Sequence, residues 1–153
     1  MAARTVIACH HCGTKNGVRP VPNGRPRCKQ CHKPLAWIVD ARTDSFDEEI
    51  SSSLPVIVDF WAAWCGPCRM VAPALESLAR RFAGSFKLVR VDIDHAATLA
   101  QRFAVQGVPT LVLLRGGGEV DRRVGAAPER ELERWLQSQG VGDTARATAA
   151  AAG

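Results

Sequence analysis

Val58-Asp59-Phe60-Trp61-Ala62-Ala63-Trp64-Cys65-Gly66-Pro67-Cys68 is the stretch that decides how this 153-residue chain is read. It completes an almost unbroken apolar run from Pro55 to Trp61 and opens a helix-like run from Arg69 to Phe82. Two thiols separated by two residues therefore stand at a strand-to-helix junction. Backbone N–H groups and the positive end of the helix dipole favour thiolate over thiol at the first sulfur. The second sulfur falls one turn into the helix, close enough to close a small disulfide loop. This spacing suits dithiol–disulfide chemistry. Asp59 is the odd residue of its strand, because a carboxylate among Val56, Ile57 and Val58 is costly to desolvate unless it is protonated or bonded. The pattern predicts a buried acid–base group there.

Outward from this junction the pattern is that of an α/β layer fold. Leu35-Ala36-Trp37-Ile38-Val39 reads as a strand. Ser45-Phe46-Asp47-Glu48 has the form of a capping box, starting a helix that ends near Ser53. The run from Pro55 to Trp61 is as apolar as a strand buried on both faces. The following helix places Val71, Leu75, Leu78 and Phe82 on one face, and Pro73 inside it predicts a kink. Phe86 to Ile93 is a third strand and Ala96 to Phe103 a short helix. Pro109 to Leu114 and Glu119 to Val124 flank Gly116-Gly117-Gly118, a hairpin signal. Pro128 suits the first turn of a last helix that turns Leu132, Trp135 and Leu136 inward and stops before Gly140. Residues 141–153, rich in Ala, read as a frayed or disordered tail.

Residues 1–34 differ in kind. They hold seven of the twenty Lys and Arg residues and none of the fifteen acids, so the positive excess behind the net +5 belongs to this segment, the remainder carrying thirteen bases and fifteen acids. They contain no aromatic residue before Trp37 and bury little core, so they need a staple to fold. Cys9-x2-Cys12 and Cys28-x2-Cys31, fifteen residues apart, have the spacing of a four-Cys zinc ribbon. Zinc supplies the staple. Its four thiolates and one divalent cation sum to about −2, leaving the segment basic. With neither stacking aromatics nor a recognition helix, nucleic-acid binding is not expected. No run approaches the roughly 20 apolar residues of a membrane span, and no apolar leader opens the chain. A cytoplasmic protein is the expectation, in a reducing compartment where Cys pairs serve metal binding or catalysis.

Val58 to Cys68, then Gly107-Val108-Pro109-Thr110, then Val124-Gly125-Ala126, closely resemble the thioredoxin family over residues 36–139. With a zinc ribbon in front, the chain resembles the thioredoxin-2 type over nearly its whole length. The resemblance implies a thioredoxin fold, a mixed central sheet flanked by helices, over residues 35–140, behind a ribbon over residues 1–34. It implies a protein-disulfide reductase in which Cys65, the more exposed sulfur, attacks and Cys68 resolves. Asp59 would handle the Cys68 proton, and Pro109 would be cis and pack against the disulfide. Trp64, Gly66, Pro67, Val108 and Gly125 would form an apolar docking surface, with Val108 pairing its backbone to an extended substrate. Trp61 is expected in the core. Arg90 stands where the family commonly carries Lys. The implied partners are disulfide-containing cytosolic proteins and NADPH-dependent thioredoxin reductase. The implied cofactor is zinc, structural or redox-sensing, bound by Cys9, Cys12, Cys28 and Cys31, with no tightly bound organic cofactor. A ribbon that delivers the redox domain to partners, or senses oxidation, is the alternative role.

Overall fold

The computed structural model describes residues 4–142. Seven strands and four helices follow one another along the chain. They are β1 (Thr5–Ala8), β2 (Lys15–Val18), β3 (Trp37–Asp40), α1 (Phe46–Ile50), β4 (Val56–Trp61), α2 (Gly66–Arg81), β5 (Lys87–Asp92), α3 (Ala97–Arg102), β6 (Thr110–Arg115), β7 (Gly118–Val124) and α4 (Glu129–Ser138). β1 and β2 form a small antiparallel sheet, and the other five strands form a sheet in the order β3-β5-β4-β6-β7. β3, β5 and β4 run parallel, while β6 and β7 are antiparallel to their neighbours.

The apolar run of β4 occupies the centre of this sheet and is covered on both faces. Val56, Val58 and Phe60 join Phe46 and Ile50 of α1 and Leu99 of α3 on one side. Ile57 joins Val71, Leu75 and Leu78 of α2 and Leu132, Trp135 and Leu136 of α4 on the other. Strand alternation therefore puts Asp59 and Trp61 on the face covered by α2.

Local chemistry departs from the sequence pattern in three places. Ser45 makes no capping bond; its hydroxyl accepts from the Arg42 N–H at 3.0 Å, closing a turn ahead of α1. The helix accordingly stops at Ile50, short of Ser53. Val141, expected in the tail, is buried, and its N–H bonds Leu136 O at 2.8 Å around a left-handed Gly140. The rest of the tail expectation falls on residues 143–153, outside the described residues.

The N-terminal unit is built from β1, β2 and two equivalent turns. Gly13 N–H bonds Cys9 O at 2.8 Å, and His32 N–H bonds Cys28 O at 2.9 Å. Both turns need a left-handed residue, filled by Gly13 (φ 79°) and, with some strain, by His32 (φ 66°). The unit does not stand apart. Ile7, Val18, Cys9 and Cys28 are buried in one cluster with Leu35 and Trp37. Ser53 N–H donates to Pro22 O at 2.6 Å, and Leu35 N–H to Pro26 O at 2.9 Å. These contacts lie just ahead of β3 and β4, at the pole of the sheet where its parallel strands begin.

Candidate active site and metal centre

β4 ends at Trp61, and a short loop carries the chain to Cys65 at the N-cap of α2. Arg69 steadies this loop by donating to Ala63 O at 2.7 Å. Pro67 stands in the first turn, where a missing N–H costs nothing. Cys65 and Cys68 are joined as a disulfide. The Cys68 N–H points at Cys65 Sγ from 3.1 Å, so a helix-start donor is aimed at the first sulfur. Exposure does not separate the two as expected: Cys65 is 4% and Cys68 5% exposed. What distinguishes Cys65 is its place at the cap, with that donor in front of it.

Around the disulfide lie Ala62, Trp61, Ile93 and Val108. Trp61 thus belongs to the site rather than to the distant core. Its ring carries the Arg90 guanidinium at 5.0 Å, and its Nε1 is buried without a protein partner. The Val108–Pro109 bond is cis, and Val108 O lies 3.6 Å from Cys65 Sγ. Pro109 is buried and its carbonyl accepts from the Gly125 N–H at 2.9 Å, which ties the hairpin end to the cis turn. Gly66, Pro67 and Trp64 are exposed, Val108 and Gly125 half-buried. The sequence did not mark Met70 and Val124 as exposed; with Trp64 at 67% they stand 74% and 68% exposed, two residues from Cys68 and one from Gly125 along the chain. A single apolar residue on a helix or strand carries no sign of exposure in sequence, so no local signal was there to find.

Asp59 is 2% exposed on the face under α2. Burial pushes its carboxyl up from 3.8 to about 6, and the Arg90 charge opposes that rise without cancelling it. Arg90 pairs with Asp59 in register across β4 and β5, with Nε 3.7 Å from Oδ2, and reaches Glu76 of α2 at 3.9 Å. The Arg in place of Lys therefore still faces Asp59, but as an ion pair outside hydrogen-bond distance. Asp59 Oδ1 and Arg90 Nε have no protein partner.

At the other pole the four remaining cysteines converge. One sulfur from each of Cys9, Cys12, Cys28 and Cys31 lies within 4.8 Å of the others, and none is in a disulfide. The Cys9–Cys31 and Cys12–Cys28 sulfurs are 3.6 and 3.5 Å apart. A tetrahedron with metal–sulfur bonds of about 2.3 Å has edges near 3.8 Å. Backbone N–H groups of His11 and Gln30 point at Cys9 and Cys28 Sγ, both from 3.4 Å. Hydrogen bonds from the Cys31 and Gln30 backbones, with Asn16, draw the Cys28 thiol down to about 6, while burial and the neighbouring thiols push Cys31 up to about 11. The donor set and its spacing fit a metal ion. His10, His11 and His32 all lie exposed at the surface, outside this cluster.

Among the described residues no helix is long and apolar enough to cross a membrane. A thioredoxin family model matches residues 37–138. The chain is 44% identical over 97 residues to thioredoxin 1 of Nostoc sp., covering 62% of this chain and 91% of that protein. It is 43% identical over 103 residues to a thioredoxin of Porphyra purpurea, covering 67% and 94%. Thioredoxin C-3 of Corynebacterium nephridii matches over 138 residues at 37% identity, covering 88% and 94%. That last match cannot fit between residue 37 and residue 153, so it takes in part of the N-terminal segment.

Proposed function

The chain belongs to the thioredoxin family, a thiol–disulfide oxidoreductase, and from that premise we propose how its own residues reduce protein disulfides. The Cys65 thiolate attacks one sulfur of the substrate disulfide. The substrate S–S bond breaks, a Cys65–substrate disulfide forms, and the departing substrate sulfur leaves as a thiolate that takes up a proton. Cys68 gives its proton to Asp59 and attacks Cys65 Sγ, releasing the second substrate thiolate. Two electrons have then passed to the substrate, and the Cys65–Cys68 disulfide remains. NADPH-dependent thioredoxin reductase returns it to the dithiol. Val108, Gly125, Trp64, Gly66 and Pro67 hold the incoming segment against the sulfurs, with the cis Pro109 closing the other side.

The observation that carries this reading is the Cys65–Cys68 disulfide at a helix start facing the Val108 carbonyl. The test is the Cys68→Ser variant, expected to accumulate a covalent 1:1 adduct with a disulfide protein. A second change, Cys65→Ser, is expected to abolish the adduct and turnover alike. Adducts that survive Cys65→Ser would assign the attack to another sulfur.

Residues 1–34 we read as a zinc ribbon and residues 35–140 as the redox domain, in a cytoplasmic protein. Cys9, Cys12, Cys28 and Cys31 would hold zinc, which supplies a structural cross-link and no chemistry of its own. One observation favours a second, sensing role. The sulfurs of Cys9–Cys31 and Cys12–Cys28 approach pairwise, so a peroxide oxidant that displaces the metal finds two disulfides ready to close. Counting zinc and free thiols during peroxide titration checks it, with two thiols lost per disulfide expected alongside metal release.

A further inference from the structure

We infer that the basic N-terminal unit is a second docking surface, taking acidic segments of the proteins whose disulfides are reduced at Cys65 and Cys68. The inference rests on the reduction reading above. Its ground is an asymmetry of charge and its place in the fold. Arg4, Lys15, Arg19, Arg25, Arg27, Lys29 and Lys33 are all exposed, and residues 1–34 hold no carboxylate to offset them. In the rest of the chain several basic side chains pair with acids instead: Arg81 with Glu129 and Glu133, Arg102 with Asp47, Arg122 with Glu119, Arg123 with Glu131.

The patch continues onto the redox domain. Arg80, exposed in the last turn of α2, shares a surface groove with His10 of the N-terminal unit. Between β1, the start of β3 and Arg80 lies a groove of about 230 Å³, with Val6 65% exposed along it. Val6, Ile7, Ala36 and Ile38 line it for an apolar side chain of an acidic segment, and Arg80 at its edge meets a carboxylate. A nucleic acid matches it less well, because residues 1–34 hold no Phe, Tyr or Trp and form no helix among the described residues.

Position says what such binding does. Arg80 stands near one end of α2 and Cys65 caps the other, roughly 20 Å of helix apart. An extended chain covers that span in about seven residues. The surface therefore anchors the client at a distance from the sulfurs, raising its local concentration without entering the exchange reaction.

Three synthetic disulfide peptides of equal length test this. One carries five Glu about twelve residues from the cystine, one carries them beside it, and one has Ser throughout. At low ionic strength the wild type is expected to reduce the first with kcat/KM at least tenfold above the third, through KM. Most of that preference disappears in salt well above 0.15 M. Lys33→Glu with Arg80→Glu abolishes the preference while turnover of the Ser peptide and zinc content stay unchanged. A milder Lys33→Gln with Arg80→Gln version serves if reversal unfolds the unit, and is expected to leave a partial preference. Equal turnover of all three peptides overturns the proposal. So does an equal preference for Glu beside the cystine, or a preference that survives both variants. If no peptide is reduced, the redox reading itself falls. Tight binding of duplex DNA or tRNA lost in the variants, with no peptide preference, replaces the proposal with a nucleic-acid surface.

Discussion

Asp59 sets one carboxylate against the stability of its own strand. Burial disfavours the ionised form, so the folded chain holds its proton to about pH 6 while the unfolded chain releases it near 3.8. The sign follows. Below pH 3.8 both states are protonated and the residue is neutral in its effect. As pH rises through 4 to 6, only the unfolded state ionises freely, and stability falls. Above pH 6 the folded state bears the ionised group at a cost of about 3 kcal/mol. Asp59→Asn is therefore expected to stabilise the oxidised protein by up to about 3 kcal/mol at pH 8 and to change little at pH 3.5, as read by urea unfolding. The same substitution removes the acceptor proposed for the Cys68 proton. Release of the mixed disulfide, which should rise through pH 6 in the wild type, is expected to shift its rise toward the ordinary thiol range near 8.5. An unshifted profile would remove Asp59 from the proton path. The existence of this residue was plain in sequence, since a lone Asp in an apolar strand is conspicuous. The guanidinium ring-stacked on Trp61, and the place of Trp61 beside the disulfide, were not, because both depend on which strands become neighbours.

Elements followed the same division. Strand and helix periodicity located every helix and strand of residues 35–140, since each must bury one face or stripe. Helix ends were less legible: the Ser45 hydroxyl had two possible backbone donors and took Arg42 rather than the first turn of α1. Nor did sequence signal that Lys87 in β5 points inward. Its Nζ donates to Glu49 O at 2.7 Å, lies 3.5 Å from the Glu49 carboxylate and sits 4.1 Å over the Trp37 ring. Both charges are almost fully covered, and burial draws Lys87 down and Glu49 up. This pair clamps α1 to β3 and β5. Removing one member strands the other: Lys87→Met is expected to cost about 3–5 kcal/mol. Adding Glu49→Leu to it should recover most of that loss, because the buried charge is then gone from both sides. Thermal or urea unfolding of the single and double variants measures the coupling, and additive costs would mean the two side chains stabilise α1 independently.

At the scale of the whole molecule the question is whether the four-cysteine unit and the redox unit are one cooperative body. Spacing of Cys9, Cys12, Cys28 and Cys31 marked the unit, and the basic, aromatic-free composition implied that it buries little on its own. Where it rests could not be read, because Ile7 and Val18 look like ordinary strand residues until the fold lays them on Leu35 and Trp37. That seam lies at the pole opposite the disulfide, and two consequences follow. Losing the cross-link should loosen Ile7 and Val18, each worth about 1.5–3 kcal/mol when fully buried, and expose the start of β3. Cys9→Ser, or chelation, is therefore expected to lower the melting temperature of the redox domain itself, as one transition. Yet Cys65, Cys68 and the cis Pro109 turn stand at the far end of β4 and α2 from this seam, so disulfide reduction at 25 °C should stay largely intact while zinc content falls. A melting temperature unmoved by metal loss would make the seam superficial. A collapse of turnover with the redox domain still folded would mean that the two poles are coupled through the sheet, and that the metal governs the chemistry rather than the stability of this chain.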